Sequence, residues 1–283
     1  MLDFGQWSSL PHQHDNPAAA RFKGFCFDYD KFRPEPPADL MELGKGWAGH
    51  EDLKVVVDLG CGTGLSSRPW SSLSESVIGI DPSADMLEAA RAGTKAANIS
   101  YRPGTGQDTG LTASVADIVT CSSAVHWMEP KPTVDEIARI LREQGVLLIY
   151  GHYYPVFLRS AQLTAFYERW RKNLDQLEYH TEKQIAQKWP LTALYSAVDE
   201  HAEFGYTRKH YLHSRLAWKP MEIEGFFRAH AGVPFLLERG YSEADLMLDQ
   251  LGSMMEVLDA EVSTPLHLTY SVFLAVKDVS NAQ

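Results

Sequence analysis

"VVVDLGCGTGLSS", residues 55–67, carries a β-branched apolar run into a carboxylate and then sets glycine at three alternate positions, Gly60, Gly62 and Gly64. Lys54–Asp58 has the composition of a buried strand, and glycines directly after it supply a turn whose backbone can approach a ligand closely. Such a turn between a strand and a helix points to a nucleotide-bearing ligand. The acid at its head, Asp58, narrows which one.

Outward from this stretch the pattern alternates. Ser76–Asp81 (SVIGID) reads as a second strand, and Ser83 is placed to cap the amphipathic helix ADMLEAARAG. Ile99–Arg102 is a third strand, Val115–Cys121 a fourth and Gly145–Tyr150 a fifth, with a helix over Thr133–Arg142. A helix is also expected after Gly64, kinked or shortened by Pro69, and a short one over about 38–47 introduced by Pro36 and Pro37. Strands alternating with helices at this spacing imply a parallel sheet covered on both faces.

After Tyr150 the texture changes. Leu158–Tyr179, Met221–His230 and Ser242–Leu258 read as helices rich in aromatic residues, while Phe204–His213 and His267–Lys277 read as strands. The last of these alternates as an antiparallel strand closing the sheet should. The expected division is an N-terminal arm and core over 1–155, a helical insertion or lid over 156–200, and the rest of the sheet with further helices over 201–283.

Composition sets the outer bounds. The 283 residues are 45% hydrophobic and 22% charged, ordinary for a folded chain. A formal charge of −11 repels phosphate backbones, so nucleic acid is not the expected partner. Apolar runs such as GVLLIY (145–150) are too short to cross a bilayer, so no membrane is expected. The first residues lack a secretory pattern, and three cysteines without ligand spacing suit reduced thiols, which together suggest the cytoplasm. His12, His14 and Asp15 lack a fourth ligand nearby, so no metal is expected.

Two acids then select the cofactor. Asp81 ends the second strand nineteen positions beyond Gly62, where a carboxylate can accept both hydroxyls of a ribose. The same Asp-Pro-Ser is also turn chemistry at a helix start. Asp58 would repel a diphosphate seated on the turn. S-adenosylmethionine carries no phosphate but does carry a sulfonium and an α-ammonium, and for it an acid there is attractive.

The ordered set VVVDLGCGTG, VIGIDPSADMLEAAR, ISYRPGTGQDTGL, ADIVTCSSAVHWM and RILREQGVLLIY resembles the successive motifs of class I S-adenosylmethionine-dependent methyltransferases that act on small molecules. AVHW after the fourth strand and YDKFRPEPP before the first are similar to the trans-aconitate methyltransferases and their relatives, which esterify carboxylates. The resemblance covers residues 22–152 well and 156–200 hardly at all. It implies a Rossmann-like, seven-stranded, mostly parallel sheet with an antiparallel last strand and helices on both faces. It also implies a cofactor cleft built from Asp58, Gly60, Cys61, Gly62 and Gly64, with Asp81 and Pro82 at the ribose and Met86 on the adenine face. Thr105, Gly106 and Gln107 would meet the adenine edge, and Cys121, Ser122 and Val125 would lie beside the sulfonium. Tyr29 and Arg33 would cover the cofactor's carboxylate. Here the family's small-residue–acid pair reads Gly106–Gln107, an amide in place of the acid.

His126 is the candidate general base, or else a residue that orients its loop. Trp127, His152, Tyr153 and Tyr154 are candidates for the acceptor pocket, or equally for core packing at a seam. Arg159, Arg169, Arg171, Arg208, Lys209 and Arg215 offer charge for an acidic acceptor, or are solvated surface. Carboxylate O-methylation is the leading expectation, N- or hydroxyl O-methylation the second. An NAD-dependent oxidoreductase and a non-catalytic nucleotide-binding regulator are the competing classes.

Overall fold

The computed structural model describes residues 26–49, 52–153, 155–158, 160–182, 188–230, 232–256 and 258–278. Two helices, α1 (Cys26–Phe32) and α2 (Ala38–Trp47), precede β1 (Leu53–Leu59). Then follow β2 (Ser74–Asp81), α3 (Ala84–Gly93), β3 (Ile99–Pro103), β4 (Ala116–Ser122), α4 (Pro130–Ile140) and β5 (Leu141–His152). The remainder comprises β6 (Val156–Phe157), α5 (Ala161–Glu182), α6 (Leu191–Asp199), β7 (Phe204–Trp218), α7 (Pro220–Arg228), α8 (Gly232–Leu237), α9 (Ser242–Glu256) and β8 (Thr264–Lys277).

The strands form one sheet in the order β3-β2-β1-β4-β5-β8, with the two-residue β6 continuing along β8 and β7 on its far side. The first five strands are parallel, and β8 runs antiparallel to both β5 and β7. The seven expected strands are present, and β6 is an eighth, short one. A parallel sheet of this order reverses direction between β1 and β4, and ligands lie at such a reversal, beyond the carboxyl ends of the strands.

Side-chain alternation divides the core. Val57, Leu59, Val119, Cys121, Leu147 and Ile149 face α4 and α6. Val56, Ile118, Leu148, Tyr150 and Val272 face α2 and the short 3-10 helix Arg68–Ser72, which contributes the fully buried Trp70. Ser83 caps α3 as expected, its Oγ accepting from Met86 N at 3.4 Å.

Three of the boundaries that differ from expectation have a local cause. The segment after Gly64 forms that five-residue 3-10 helix, because Pro69 has no N–H to continue an α-helix and the Ser66 and Ser67 hydroxyls are committed to Asp58. Helix α4 starts at Pro130, a favoured first helical position, and not at Thr133. It stops at Ile140 because Leu141 already pairs with Ala116, while Arg142 binds Asp117 at 2.6 Å.

The helices after β5 belong to two different groups. Leu194 and Val198 of α6 are buried in the sheet's own core beside α4. Helix α5 instead packs with α7, α8 and α9 around Tyr167, Trp170, Phe226, Phe227, Phe235 and Leu251. Phe157 of β6 and Leu266 of β8 tie this helical cap to the sheet, so the cap draws on chain from both sides of β7. Its apolar interior is substantial, since truncating a ring such as Phe227 to alanine typically costs about 3–5 kcal/mol.

Candidate active site

The glycine turn is pinned to the end of β2, with Gly60 N and Cys61 N both donating to the Ile80 carbonyl at 2.8 and 3.1 Å. All three glycines have left-handed backbone, with φ of +72°, +51° and +80°. Their surroundings differ. A Cβ on Gly60 would stand 2.5 Å from the Ala124 Cβ, and one on Gly64 would collide with the Tyr101 hydroxyl. A Cβ on Gly62 would meet nothing nearer than Met86 Sδ at 4.0 Å. Gly60 and Gly64 answer to packing, whereas Gly62 faces open space.

Asp58 is fully buried at the head of this turn. One carboxylate oxygen, Oδ2, accepts from Ser66 Oγ at 2.7 Å and Ser67 Oγ at 2.5 Å, while Oδ1 is buried without a hydrogen-bond partner. Burial pushes its pKa up to about 6, partly offset by the two serines. Asp81 lies across the turn, with Oδ2 accepting from Gly62 N at 3.0 Å and Oδ1 from Ser83 N at 2.8 Å. It both holds the turn and starts α3, and burial raises its pKa too. Pro82 is exposed in the Asp81–Ser83 turn, and Met86 is buried beside Gly62.

The loop after β3 completes this side. Gly104 N approaches the Asp81 carbonyl at 3.4 Å, and Thr105 N donates to the Asp108 carbonyl at 2.8 Å. Gly106 is packed against Met128 and Thr133, leaving no room for a side chain, while Gln107 is exposed. The Cys61 side chain packs with Leu87, Ala90 and Tyr101, and the Cys121 side chain lies in the core below α4 and α6. Burial raises both thiols. Val125 is likewise core, while Ser122 ends β4 half-buried.

Helix α1 lies over the turn. Arg68 Nη1 donates to the Thr63 carbonyl at 2.9 Å and its Nη2 to Asp30 Oδ1 at 2.7 Å. On the far side, the Phe32 ring fills the place a side chain on Gly225 of α7 would take. Arg33 sets its Cζ 5.3 Å from the Tyr29 ring and 5.4 Å from the Phe226 ring, and its Nη1 is buried without a hydrogen-bond partner.

On the acceptor side, His126 and Trp127 stand on a one-turn 3-10 helix beyond β4, their rings 4.9 Å apart. The His126 carbonyl accepts from Trp189 N at 2.8 Å, and Lys188 Nζ lies 4.9 Å from the Trp127 ring, so the segment entering α6 rests on this turn. His152 lies between Phe226 and Tyr270, with ring centroids at 5.8 and 5.9 Å. Burial, and then the charges of Arg33 and Arg171, push its pKa down to about 3, so it is neutral near pH 7. Tyr153 points elsewhere: it is 52% exposed and stacks on Tyr211 of β7 at 6.3 Å. Tyr154 and Arg159, like His12, His14 and Asp15, lie outside the described residues. Of the remaining basic candidates, Arg171 pairs with Asp175, Arg169 borders a shallow surface groove on α5, and Arg208, Lys209 and Arg215 stand on β7.

The family model of a methyltransferase domain matches residues 57–149, the span from β1 to β5. Residues 57–149 thus match a methyltransferase domain, and the curated relatives that match are named as methyltransferases. A Saccharomyces cerevisiae protein named as a probable S-adenosylmethionine-dependent methyltransferase, CRG1, is 29% identical over 153 residues, 51% of this chain and 52% of that one. The chain spans about half the length of the curated relatives it matches. Two solved structures share the fold. A candidate type II methyltransferase from Anaeromyxobacter dehalogenans superposes with a TM-score of 0.63 at 18% identity, covering 87% of this chain and 98% of that chain. Phosphoethanolamine N-methyltransferase 2 of Haemonchus contortus superposes with a TM-score of 0.55 at 15% identity, covering 95% of this chain and 61% of that chain.

S-adenosylmethionine is the cofactor of this family, and the residues present fit it. The open face of Gly62 leaves room for a ligand, and the buried carboxylate of Asp58 beside it disfavours a diphosphate. Sequence reasoning missed Ser66 and Ser67, although a buried acid at a strand end requires donors and both hydroxyls follow within nine positions. It also missed the Arg68–Asp30 clamp.

Proposed function

We propose that this chain methylates a small-molecule acceptor, a carboxylate oxygen first and an amine or hydroxyl second. The observation that carries the reading is Asp58 Oδ1, a buried carboxylate oxygen without a partner at the head of a glycine turn whose middle glycine faces open space. When bound, S-adenosylmethionine supplies an electrophilic methyl group on a positively charged sulfur. Asp81 would hold the ribose diol, and Met86 with the Thr105–Gln107 loop would enclose the adenine. Arg33, backed by Tyr29, would meet the cofactor's carboxylate.

The acceptor preference rests on charge. Arg33 bears on His152 at the seam of core and cap, where His152 itself stays neutral, while Arg171 is paired with Asp175. A guanidinium at this seam favours an anion, and an acceptor that is already a carboxylate needs no general base. The cap helices α5 and α7–α9 would exclude water from that seam. His126 supports the second reading, since a half-buried imidazole beside the cleft could take a proton from an amine or hydroxyl.

Incubation with methyl-labelled cofactor and panels of carboxylates, amines and alcohols tests this. Label in a product that mild base releases as methanol is the expected result, whereas base-stable label would favour the second reading. Tight NAD binding without any response to S-adenosylhomocysteine would overturn methyl transfer altogether.

A further inference from the structure

The loop that follows β3 is held from one side of α4. Thr133, Glu136 and Arg139 recur at every third position of that helix, are neighbours on its surface, and each meet a different part of the loop. Thr133 lies against Gly106, where a Cβ would come within 2.9 Å of its Oγ1. Glu136 Oε1 accepts from Thr109 N at 2.9 Å and from Thr109 Oγ1 at 2.5 Å. Arg139 Nη2 donates to the Leu111 carbonyl at 2.7 Å, and its Nε donates to Glu136 Oε2 at 2.6 Å. Thr109 and Glu136 are 2% and 7% exposed, so their attachment is buried.

The loop is braced from within as well. Thr105 N donates to the Asp108 carbonyl at 2.8 Å and Asp108 N to Thr105 Oγ1 at 3.1 Å, which closes a tight turn with Gly106 and Gln107 at its tip. The loop starts beside Asp81, since Asp81 and Pro103 are register partners and Gly104 N approaches the Asp81 carbonyl at 3.4 Å. A ligand whose ribose rests on Asp81 would therefore present the edge of its base to this turn. Glu136 acts on the turn through Thr109. Burial alone would raise the Glu136 acid, but the bonds from Arg139 and Thr109 hold it below its ordinary value, so it is an ionised acceptor near pH 7. Charge-assisted bonds are the strong ones, and a turn that reads a ligand by hydrogen bonds must be held to within about 0.5 Å.

We propose that Glu136 is a positioning residue for base recognition, holding the Gly106–Gln107 turn through Thr109 where the hydrogen-bonding edge of the base is read. The inference rests on the cofactor reading above and adds to it a residue, on a helix behind the loop, that governs which purine is accepted. A fixed turn matches the donor and acceptor pattern of adenine, whereas a loosened one follows a hypoxanthine edge as readily.

The test compares two ligands by calorimetry. S-adenosylhomocysteine and S-inosylhomocysteine share the ribose and the amino-acid end, but the second has a 6-oxo group and an N1 that donates in place of accepting. Wild type should prefer the adenine ligand by at least about tenfold. Glu136→Ala and the near-isosteric Thr109→Val should each cut that preference by about fivefold or more, mainly by weakening S-adenosylhomocysteine. Glu136→Gln keeps an acceptor for Thr109 and should retain more of the preference than Glu136→Ala. A loss shared equally by both ligands, as general loosening of the fold would give, would overturn the proposal. So would a wild type that binds both ligands alike. Should Glu136→Ala fail to fold, Thr109→Val gives the same readout. Wild-type protein that binds neither ligand would remove the cofactor reading, and the role of Glu136 with it. A wild-type preference that survives unchanged in the variants would remove the role of Glu136 alone.

Discussion

Arg68 joins the glycine turn to α1, donating to the Thr63 carbonyl at 2.9 Å and to Asp30 Oδ1 at 2.7 Å. Both side chains are partly exposed, 19% and 31%, so the ion pair itself contributes on the order of 1 kcal/mol or less. Its consequence is positional, because α1 also carries Tyr29 and Arg33. Arg68→Gln should lower thermal stability only slightly and weaken S-adenosylhomocysteine by roughly three- to tenfold, with Asp30→Asn giving a similar loss. If both variants bind like wild type, α1 is not held over the cofactor by this clamp.

The three glycines should separate by function. Alanine at any of them carries a left-handed backbone cost of about 1–2 kcal/mol. At Gly60 it also meets the Ala124 Cβ, and at Gly64 the Tyr101 hydroxyl, which Thr94 Oγ1 holds at 2.8 Å. Gly60→Ala and Gly64→Ala are therefore expected to melt several degrees lower than Gly62→Ala. Gly62→Ala should fold and lose most of its cofactor affinity. Melting curves beside S-adenosylhomocysteine titrations check this, and a Gly62→Ala protein with full affinity would place the ligand elsewhere.

Asp81 contributes twice, accepting from Gly62 N and from Ser83 N. Asp81→Ala removes both bonds and the proposed ribose contact, and should weaken S-adenosylhomocysteine by about 1.5–3 kcal/mol. Asp81→Asn retains one acceptor oxygen and should lose less. Equal losses would show that charge matters here more than hydrogen-bond geometry.

Asp58 gives a pH signature with a defined sign. Its pKa is about 6 in the folded protein against an ordinary 3.8, so the folded state holds the extra proton between those values. Stability should therefore rise as pH falls from 7 through 6, by about 3 kcal/mol at most when the pH nears 4. Asp81 is raised in the same direction, so Asp58→Asn should remove part of the slope and not all of it. Asp58→Asn should also be more stable than wild type at pH 7. Cofactor affinity runs the opposite way, since an ammonium seeks the ionised carboxylate, and should fall below pH 6. Denaturant melts at pH 7.5 and 5.5 beside calorimetry on both proteins measure the two trends, and parallel trends would contradict the assignment.

What the sequence disclosed was mainly local chemistry. The strand into Asp58, the glycine turn, Asp81 and the Ser83 cap lie within thirty residues, and each depends on its neighbours along the chain. Pro69 signalled a shortened helix, but the 3-10 geometry also depended on Ser66 and Ser67 turning back to Asp58. The cap was less legible, because α5 and α7–α9 come from separate stretches and meet only through packing. Arg68 and Asp30 are thirty-eight positions apart, beyond any periodicity.

His126 can discriminate the acceptor classes. Its 3-10 turn follows β4, the strand that neighbours β1 at Asp58, so the imidazole is carried to the cleft's edge by the sheet itself. The main-chain bond from Trp189 N to the His126 carbonyl, at 2.8 Å, does not involve the ring. His126→Asn should therefore leave the turn in place and test the ring alone. His152 is held neutral near pH 7 by burial and by Arg33, with a pKa of about 3, so it contributes no titration between pH 5 and 8 that would obscure the result. For a carboxylate acceptor no proton leaves the nucleophile, and kcat should fall less than about tenfold. For an amine or hydroxyl, loss of a general base should cost roughly a hundredfold or more and remove the acidic limb of the pH–rate profile. The measurement is kcat against pH for both proteins on whichever acceptor the labelled-cofactor panel identifies. A hundredfold loss on a carboxylate, with S-adenosylhomocysteine affinity unchanged, would show that His126 holds the acceptor and not a proton.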